Sequence, residues 1–133
     1  MIVFDTSAAI DFLRGGAKTK FLVESVEETG DVVAVTTVSI FELLSPIQHR
    51  RLWKEERAVR ALVRQTLVLG LDLKSATEAS KIMGALLRLG IPINAIDTLI
   101  SGIAIANGAD KIVTSDRDFE EVAKVADVEI QLI

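Results

Sequence analysis

Residues 112–121 read IVTSDRDFEE, and how these positions are read decides the fold. Ile112, Val113 and Thr114 form a β-branched run of the kind found in strands buried on both faces. The run leads into Asp116 and Asp118 instead of a Gly or Pro turn. The chain begins the same way, because MIVFDTS closes the apolar run Ile2 to Phe4 with Asp5. An acid at the end of a core strand costs solvation unless something pairs with it. Two such strands therefore mark a place where acids are wanted.

Outward from that stretch, the pattern predicts strands at Ile2–Phe4, Val32–Val35, Leu67–Leu69, Lys111–Val113 and Glu129–Leu132. Helical periodicity fills the intervals. The first helix follows Asp5, capped by Thr6 or Ser7 and stopped by Gly15-Gly16, and a second covers Lys18 to Glu28. The helix around Phe41 to Leu44 draws its cap from Thr36, Thr37 or Ser39, and Pro46 marks its end or a new first turn. Further helices are expected over residues 48–65, Asp72–Leu89, Ala95–Asn107 and Asp116–Val125. Strands that alternate with helices in this way predict an α/β fold, a five-stranded parallel sheet flanked by helices on both faces. Ligand sites in such sheets lie outside the carboxyl ends of the strands. Asp5 and Asp116 stand at that edge. Glu42 and Asp97 lie near the starts of helices that open on the same edge, so the four acids can converge.

Composition narrows the classes. A chain of 133 residues, half of them apolar, predicts one domain spanning 1–133 with an ample core. There is no cysteine and His49 is the only histidine, which excludes thiolate catalysis and multi-histidine or cysteine metal sites. Asp5 and Asp11 stand where a basic leader would be, and the charge-free stretch Thr98–Ala109 is too short to span a bilayer. A soluble, cytoplasmic protein with no membrane partner is the expectation. Net charge is −4, which argues against sequence-blind adhesion to nucleic acid through bulk charge. Residues 50–64 run against that balance, with Arg50, Arg51, Lys54, Arg57, Arg60 and Arg64 against Glu55 and Glu56. They read either as a solvated helix face or as a contact for a partner or an RNA backbone.

Convergence of the acids has a chemical consequence. Two carboxylates about 4 Å apart repel by roughly 4 kcal/mol at an effective dielectric near 20. Four together need protons or a cation among them. An all-oxygen set without His or Cys favours Mg²⁺ or Mn²⁺ over zinc. The chemistry implied is metal-assisted phosphoryl or phosphodiester transfer by activated water. Each acid also has a plainer reading: Asp5 as a turn or cap, Glu42 pointing outward, Asp97 favouring its helix dipole, Asp116 and Asp118 as a capping pair.

The stretches MIVFDTSAAIDFLRG, VTTVSIFELL and AIDTLISGIAIANGADKIVTSDRDFEEV, in this order and spacing over nearly the whole chain, resemble the successive signatures of the PIN-domain ribonucleases. The chain is similar to the VapC toxins of toxin–antitoxin pairs. The resemblance implies a three-layer PIN-like fold, Mg²⁺ or Mn²⁺ dependence, and endonucleolytic cleavage of RNA leaving a 5′-phosphate and a 3′-hydroxyl. Its four acids fall on Asp5, Glu42, Asp97 and Asp116, with Asp118 as an accessory metal ligand. Thr6 and Thr114 map as supporting groups, and Ser7 and Ser115 occupy places where many members carry Asn. Asp11 reads as a surface or helix charge. A VapB-like antitoxin and a homodimer are the partners implied.

An acidic enzyme needs positive charge where RNA lies, and Arg14, Lys18, Lys20 and Arg117 are the backbone-contact candidates. Leu52, Trp53, Val59, Leu62 and Val63 offer apolar contacts amid the basic segment, most of them expected in the core, with an exposed Trp53 favouring a partner groove. Three other readings stand beside the nuclease. A receiver-like signalling domain would close a central strand with its phosphoacceptor and place a Lys after a later one. A phosphatase with an N-terminal Asp nucleophile would carry a second Asp two residues on, which DTS lacks. A catalytically silent or non-toxin PIN domain would act as an RNA- or protein-binding module.

Overall fold

The computed structural model describes residues 1–133. Five parallel strands form one sheet in the order β3-β2-β1-β4-β5: β1 (Ile2–Phe4), β2 (Val33–Thr36), β3 (Leu67–Leu69), β4 (Lys111–Thr114) and β5 (Glu129–Leu132). Seven helices connect them: α1 (Thr6–Leu13), α2 (Ala17–Thr29), α3 (Thr37–Arg50), α4 (Trp53–Gln65), α5 (Leu73–Leu89), α6 (Ala95–Ala106) and α7 (Phe119–Ala123). The α/β fold with a five-stranded parallel sheet is the one expected.

Side chains alternate across the sheet, and the two cores follow from that period. Ile2, Phe4, Val33, Val35 and Val113 face α1 to α4, meeting Ala8, Val26, Leu43, Val59 and Leu62. Val3, Ala34, Leu69 and Ile112 face α5 to α7, meeting Ile82, Leu86, Ile100, Ile103, Phe119 and Val122. Crossovers of one hand explain the split. The sheet grows one way from β1 through β2 to β3 over the first face, then the chain returns past β1 and grows the other way over the second. The strand order therefore reverses at β1, which pairs with β2 on one side and β4 on the other. A ligand crevice is expected outside the carboxyl ends at that reversal.

Several expectations need correction. The first helix is capped by Asp5 itself, whose carboxylate accepts from the Ala8 amide at 2.9 Å, and not by Thr6 or Ser7. The second strand starts at Val33, because Val32 is exposed and Asp31 bonds its amide. Pro46 neither ends α3 nor begins a new helix; it sits inside it. Proline removes the N–H that would reach the Glu42 carbonyl one turn back, but Leu43 and Ile47 lie buried on either side of it and keep the axis running to Arg50. The break comes at Arg51, which takes a left-handed conformation (φ 56°) and splits the expected 48–65 helix in two. Residues 116–125 yield only the short α7, because Asp116 to Asp118 are held in a turn.

The helix that starts at the carboxyl edge, α6, packs against α5 through a point of very close approach. A Cβ placed on Gly102 would lie 2.6 Å from the Ala79 backbone nitrogen and 2.6 Å from the Ser75 carbonyl oxygen. Backbone cannot give way as a flexible side chain can. Gly102→Ala should push α6 off α5 and cost about 1–3 kcal/mol, the usual range for overpacking. Urea unfolding of the variant beside the wild type measures this, and an unchanged midpoint would mean that the helices do not meet at Gly102.

Candidate metal and catalytic site

Asp5 ends the central strand, and the residue is 3% exposed. The cost of burying it is offset by donors on both oxygens. Oδ1 accepts from the Ala8 amide at 2.9 Å and the Ser7 hydroxyl at 2.7 Å, and Oδ2 accepts from the Thr114 hydroxyl at 2.7 Å. Burial still prevails and pushes the Asp5 carboxyl above its usual range, against these hydrogen bonds and with the charge of Asp116 adding to the rise.

The same hydroxyls tie β1 to β4. Thr114 Oγ1 accepts from the Asp116 amide at 2.9 Å, and Ser7 Oγ accepts from the Ser115 amide at 2.9 Å. The turn after β4 is thus oriented by Asp5's own partners. Asp116 Oδ1 then accepts from the Asp118 amide at 2.9 Å, bending the chain so that both acids face the site. Of the expected capping pair, Asp118 gives α7 no side-chain cap, and Asp116 accepts the backbone amide at the head of that helix.

Asp97 comes from the first turn of α6. Asn94 caps that helix, accepting from the Asp97 amide at 2.8 Å, and its side-chain amide donates to Asp97 Oδ2 at 2.6 Å. Half-burial pushes the Asp97 carboxyl up to about 6; Asn94 opposes the rise, and the charges of Asp116, Asp5 and Glu42 reinforce it. Glu42, on α3, accepts a short hydrogen bond from the Thr6 hydroxyl, and Thr6 Oγ1 also lies 3.1 Å from Ser39 Oγ. Ser39 is itself held by the cap residue Thr36.

One carboxylate oxygen each from Asp97, Asp116 and Asp118 lies within 4.8 Å of the others. Ion pairs in the protein involve other acids: Asp31, Glu56, Glu78, Asp110, Glu120, Glu121 and Glu129, never the members of this cluster. Negative charge is gathered here without a Lys or Arg to neutralise it. Hard oxygen donors at these separations suit a hard divalent cation, so the residues fit Mg²⁺ or Mn²⁺.

Of the cationic candidates, Arg14 and Lys18 line a cleft of about 490 Å³ with Ser7, Asp11 and Ser115, beside the carboxyl edge. Lys20 is exposed and lies outside that cleft. Arg117 is exposed and leans toward Glu120 at 3.7 Å. Asp11 is not a solvated surface charge: it is half-buried, accepts from the buried Thr19 hydroxyl at 2.8 Å, and covers Gly16 so closely that a Cβ there would collide with it. Val59 and Leu62 belong to the core, whereas Trp53 is 52% exposed. Asn94 escaped the sequence reading, and Ser39 entered it only as a candidate helix cap. An Asn three residues ahead of an acid at a helix start was the signal for the first, and T-x-x-S at residues 36–39 for the second.

A model of the PIN domain family matches residues 2–125. The chain belongs to the PIN domain family. Among solved structures, a chain of VapBC2 from Rickettsia felis, crystallised on a DNA fragment from its promoter, has a TM-score of 0.87 at 15% identity, covering 100% of this chain and 99% of that one. VapBC-1 from nontypeable Haemophilus influenzae has a TM-score of 0.81 at 20% identity, covering 99% and 98%. VapC20 of Mycobacterium tuberculosis, a sarcin–ricin-loop-cleaving toxin, has a TM-score of 0.65 at 16% identity, covering 97% and 99%. At these identities the shared property is the fold. No curated protein sequence matches the chain. No helix is long and apolar enough to cross a membrane.

The raised Asp97 pKa sets a sign for the metal-free protein. Its folded value, about 6, lies above the ordinary carboxyl value, so ionisation opposes folding. Stability from this group is present at low pH and is lost as pH rises from about 4 through about 6. In chelator, Asp97→Asn should therefore gain thermal midpoint relative to wild type between pH 4 and 7. Saturating Mn²⁺ at pH 7 should reverse the order by raising the wild type alone. Parallel midpoints across that range would remove Asp97 from the charged cluster.

Proposed function

We propose that residues 1–133 act as one PIN domain with Mg²⁺- or Mn²⁺-dependent endoribonuclease activity, the toxin of a VapBC-like toxin–antitoxin pair, hydrolysing RNA phosphodiesters in the cytoplasm. The observation that carries this reading is the convergence of Asp97, Asp116 and Asp118 with Asp5 and Glu42 nearby and no cation of the protein's own among them. Neighbouring structures add to it: one is a sarcin–ricin-loop-cleaving toxin, and others are VapBC complexes, which favours RNA as substrate and a VapB-like antitoxin as partner. A homodimer is part of the proposal.

In this reading Asp97 and Asp116 hold the ion directly, with Asp118 completing the set and Glu42 and Asp5 setting the charge of the pocket. Such an ion supplies neutralisation of phosphoryl charge and activation of water. Asp5 has three donors on its two oxygens, leaving Oδ2 the freer of the two to face the site. Thr6 steers Glu42, Asn94 steers Asp97, and Ser7 with Thr114 steers both Asp5 and the Asp116 turn. Ser115 contributes through its backbone amide. Arg14 and Lys18 are the substrate-backbone contacts that the cleft favours; Lys20 and Arg117 have weaker geometric support.

A receiver-like reading meets two obstacles. Asp5 does close the central strand, but it is buried and both of its oxygens already accept hydrogen bonds, where a phosphoacceptor must be open to attack. The only Lys on β4, Lys111, starts that strand at the opposite edge and pairs with Glu129 at 3.4 Å.

Cleavage-end mapping of total RNA tests the nuclease directly. With Mn²⁺ the wild type should leave 5′-phosphate and 3′-hydroxyl ends, and Asp116→Asn should lower the rate by about 10²-fold or more, on the scale of losing one electrostatic stabiliser. Absence of cleavage by the folded, metal-loaded wild type would favour a binding-only PIN domain. A second check isolates positioning. Thr114→Val should cut the rate at every pH and Thr114→Ser should restore most of it, because the serine hydroxyl can still donate to Asp5 and accept from the Asp116 amide.

A further inference from the structure

Helix α4 turns Val59 and Leu62 into the core and gives its opposite face to solvent. On that outer face Trp53, Arg57, Arg60 and Arg64 recur at i, i+4, i+7 and i+11, all four exposed. The spacing aligns them in one stripe, roughly 16 Å long at the helical rise. Arg50 and Arg51 close α3 at its head. Arg57, Arg64, Arg50 and Arg51 enter no ion pair, and Arg60 has a single partner, Glu56, at 2.8 Å. A protein of net charge −4 thus keeps an aromatic ring and a row of guanidinium groups, one of them paired with Glu56, together on one surface.

We propose that this stripe is a docking track for single-stranded RNA outside the acidic centre, with a base stacked on Trp53 and backbone phosphates held by Arg57, Arg60 and Arg64. Choosing RNA rests on the nuclease reading; the surface chemistry stands by itself. Aromatic rings with flanking cations bind single strands without sequence preference, because every base has a π-face and every nucleotide a phosphate. Guanidinium groups suit phosphate through paired hydrogen bonds. An acidic peptide is less well served. A peptide-binding face needs a desolvated apolar centre; Val59 and Leu62 lie in the core, and Trp53 is the one large apolar side chain that α4 exposes. A membrane surface is excluded on the same ground, since the helix has no free apolar face to insert. The track also lies within reach of the site. Glu42 and Arg50 share α3, eight residues apart, so about 12 Å of helix separates the acidic pocket from the head of the stripe. A bound strand can engage both and be held while its scissile phosphate is positioned.

The chain offers its own probe, because Trp53 is the only tryptophan and there is no tyrosine. The full-length protein in chelator is titrated with an oligouridylate of about ten nucleotides, within the usual size of a single-strand site. Trp53 emission should be quenched, with affinity that weakens as salt rises. By anisotropy of a labelled oligonucleotide, Trp53→Ala should bind about tenfold more weakly. Arg57→Gln with Arg64→Gln should lower the slope of log affinity against log salt by about 1.4, at roughly 0.7 for each lost phosphate contact. These positions are exposed, and circular dichroism confirms that each variant is folded. Unchanged emission, or variants with wild-type affinity and slope, would overturn the track. Equal quenching by a polyglutamate of the same length would overturn it in favour of an acidic peptide. Cleavage of RNA in Mn²⁺ is scored separately: cleavage without quenching rejects the track alone, and quenching without cleavage supports the track and rejects the nuclease reading.

Discussion

Asp5 is where the architecture and the chemistry meet. It ends the central strand, caps the first helix, and receives the Thr114 hydroxyl from the neighbouring strand, so one buried carboxylate joins three elements. A charge so deeply buried is tolerable only because donors reach both of its oxygens. Those donors are not free to move. Ser7 and Thr114 each also accept a backbone amide from the turn after β4, and that turn carries Asp116. Satisfying Asp5 therefore places Asp116, and the position of Asp116 places Asp118.

Mutual repulsion explains the rest of the pocket. Asp97 would ordinarily sit as a harmless acid in the first turn of a helix, where the dipole favours it. Here it is half-buried and faces three other carboxylates, which outweighs the dipole and the Asn94 amide and lifts its pKa to about 6. Natural surfaces relieve such crowding with Lys or Arg, and elsewhere in this protein they do, as between Lys81 and Glu78 or Lys124 and Glu121. The withholding of that relief at one edge leaves a cluster that could hold a divalent cation.

Charge is segregated across the molecule. The acidic pocket lies at the carboxyl edge of the sheet, Arg14 and Lys18 lie in a cleft beside that edge, and exposed arginines run down the outside of α4. Such a division suits a polyanionic substrate better than uniform basicity would. Acids grouped at one edge could hold a divalent ion, and the cations lie beside them and not among them. The PIN domain fold supplies the frame by reversing strand order at β1, which opens the crevice where Asp5 ends.

The strands and the class of fold were legible in the chain itself, as was the placing of acids after two of the strands. β-branched runs, helical periods and glycine stops are local signals, and IVTSD and MIVFD each put an acid after a strand. Pro46 and Arg51 were misread for the opposite reason. Packing of Leu43 and Ile47 carries α3 through its proline, and a left-handed residue breaks the helix where the apolar period continues. Only the folded chain could decide which acids touch. Their closeness depends on Asn94, Thr6, Ser7 and Thr114 bridging positions that lie up to 109 residues apart, and no local pattern encodes a contact between distant hydroxyls and carboxylates. The exposure of Trp53 was likewise beyond the sequence, since an aromatic between Leu52 and Lys54 reads the same whether its helix turns it inward or out.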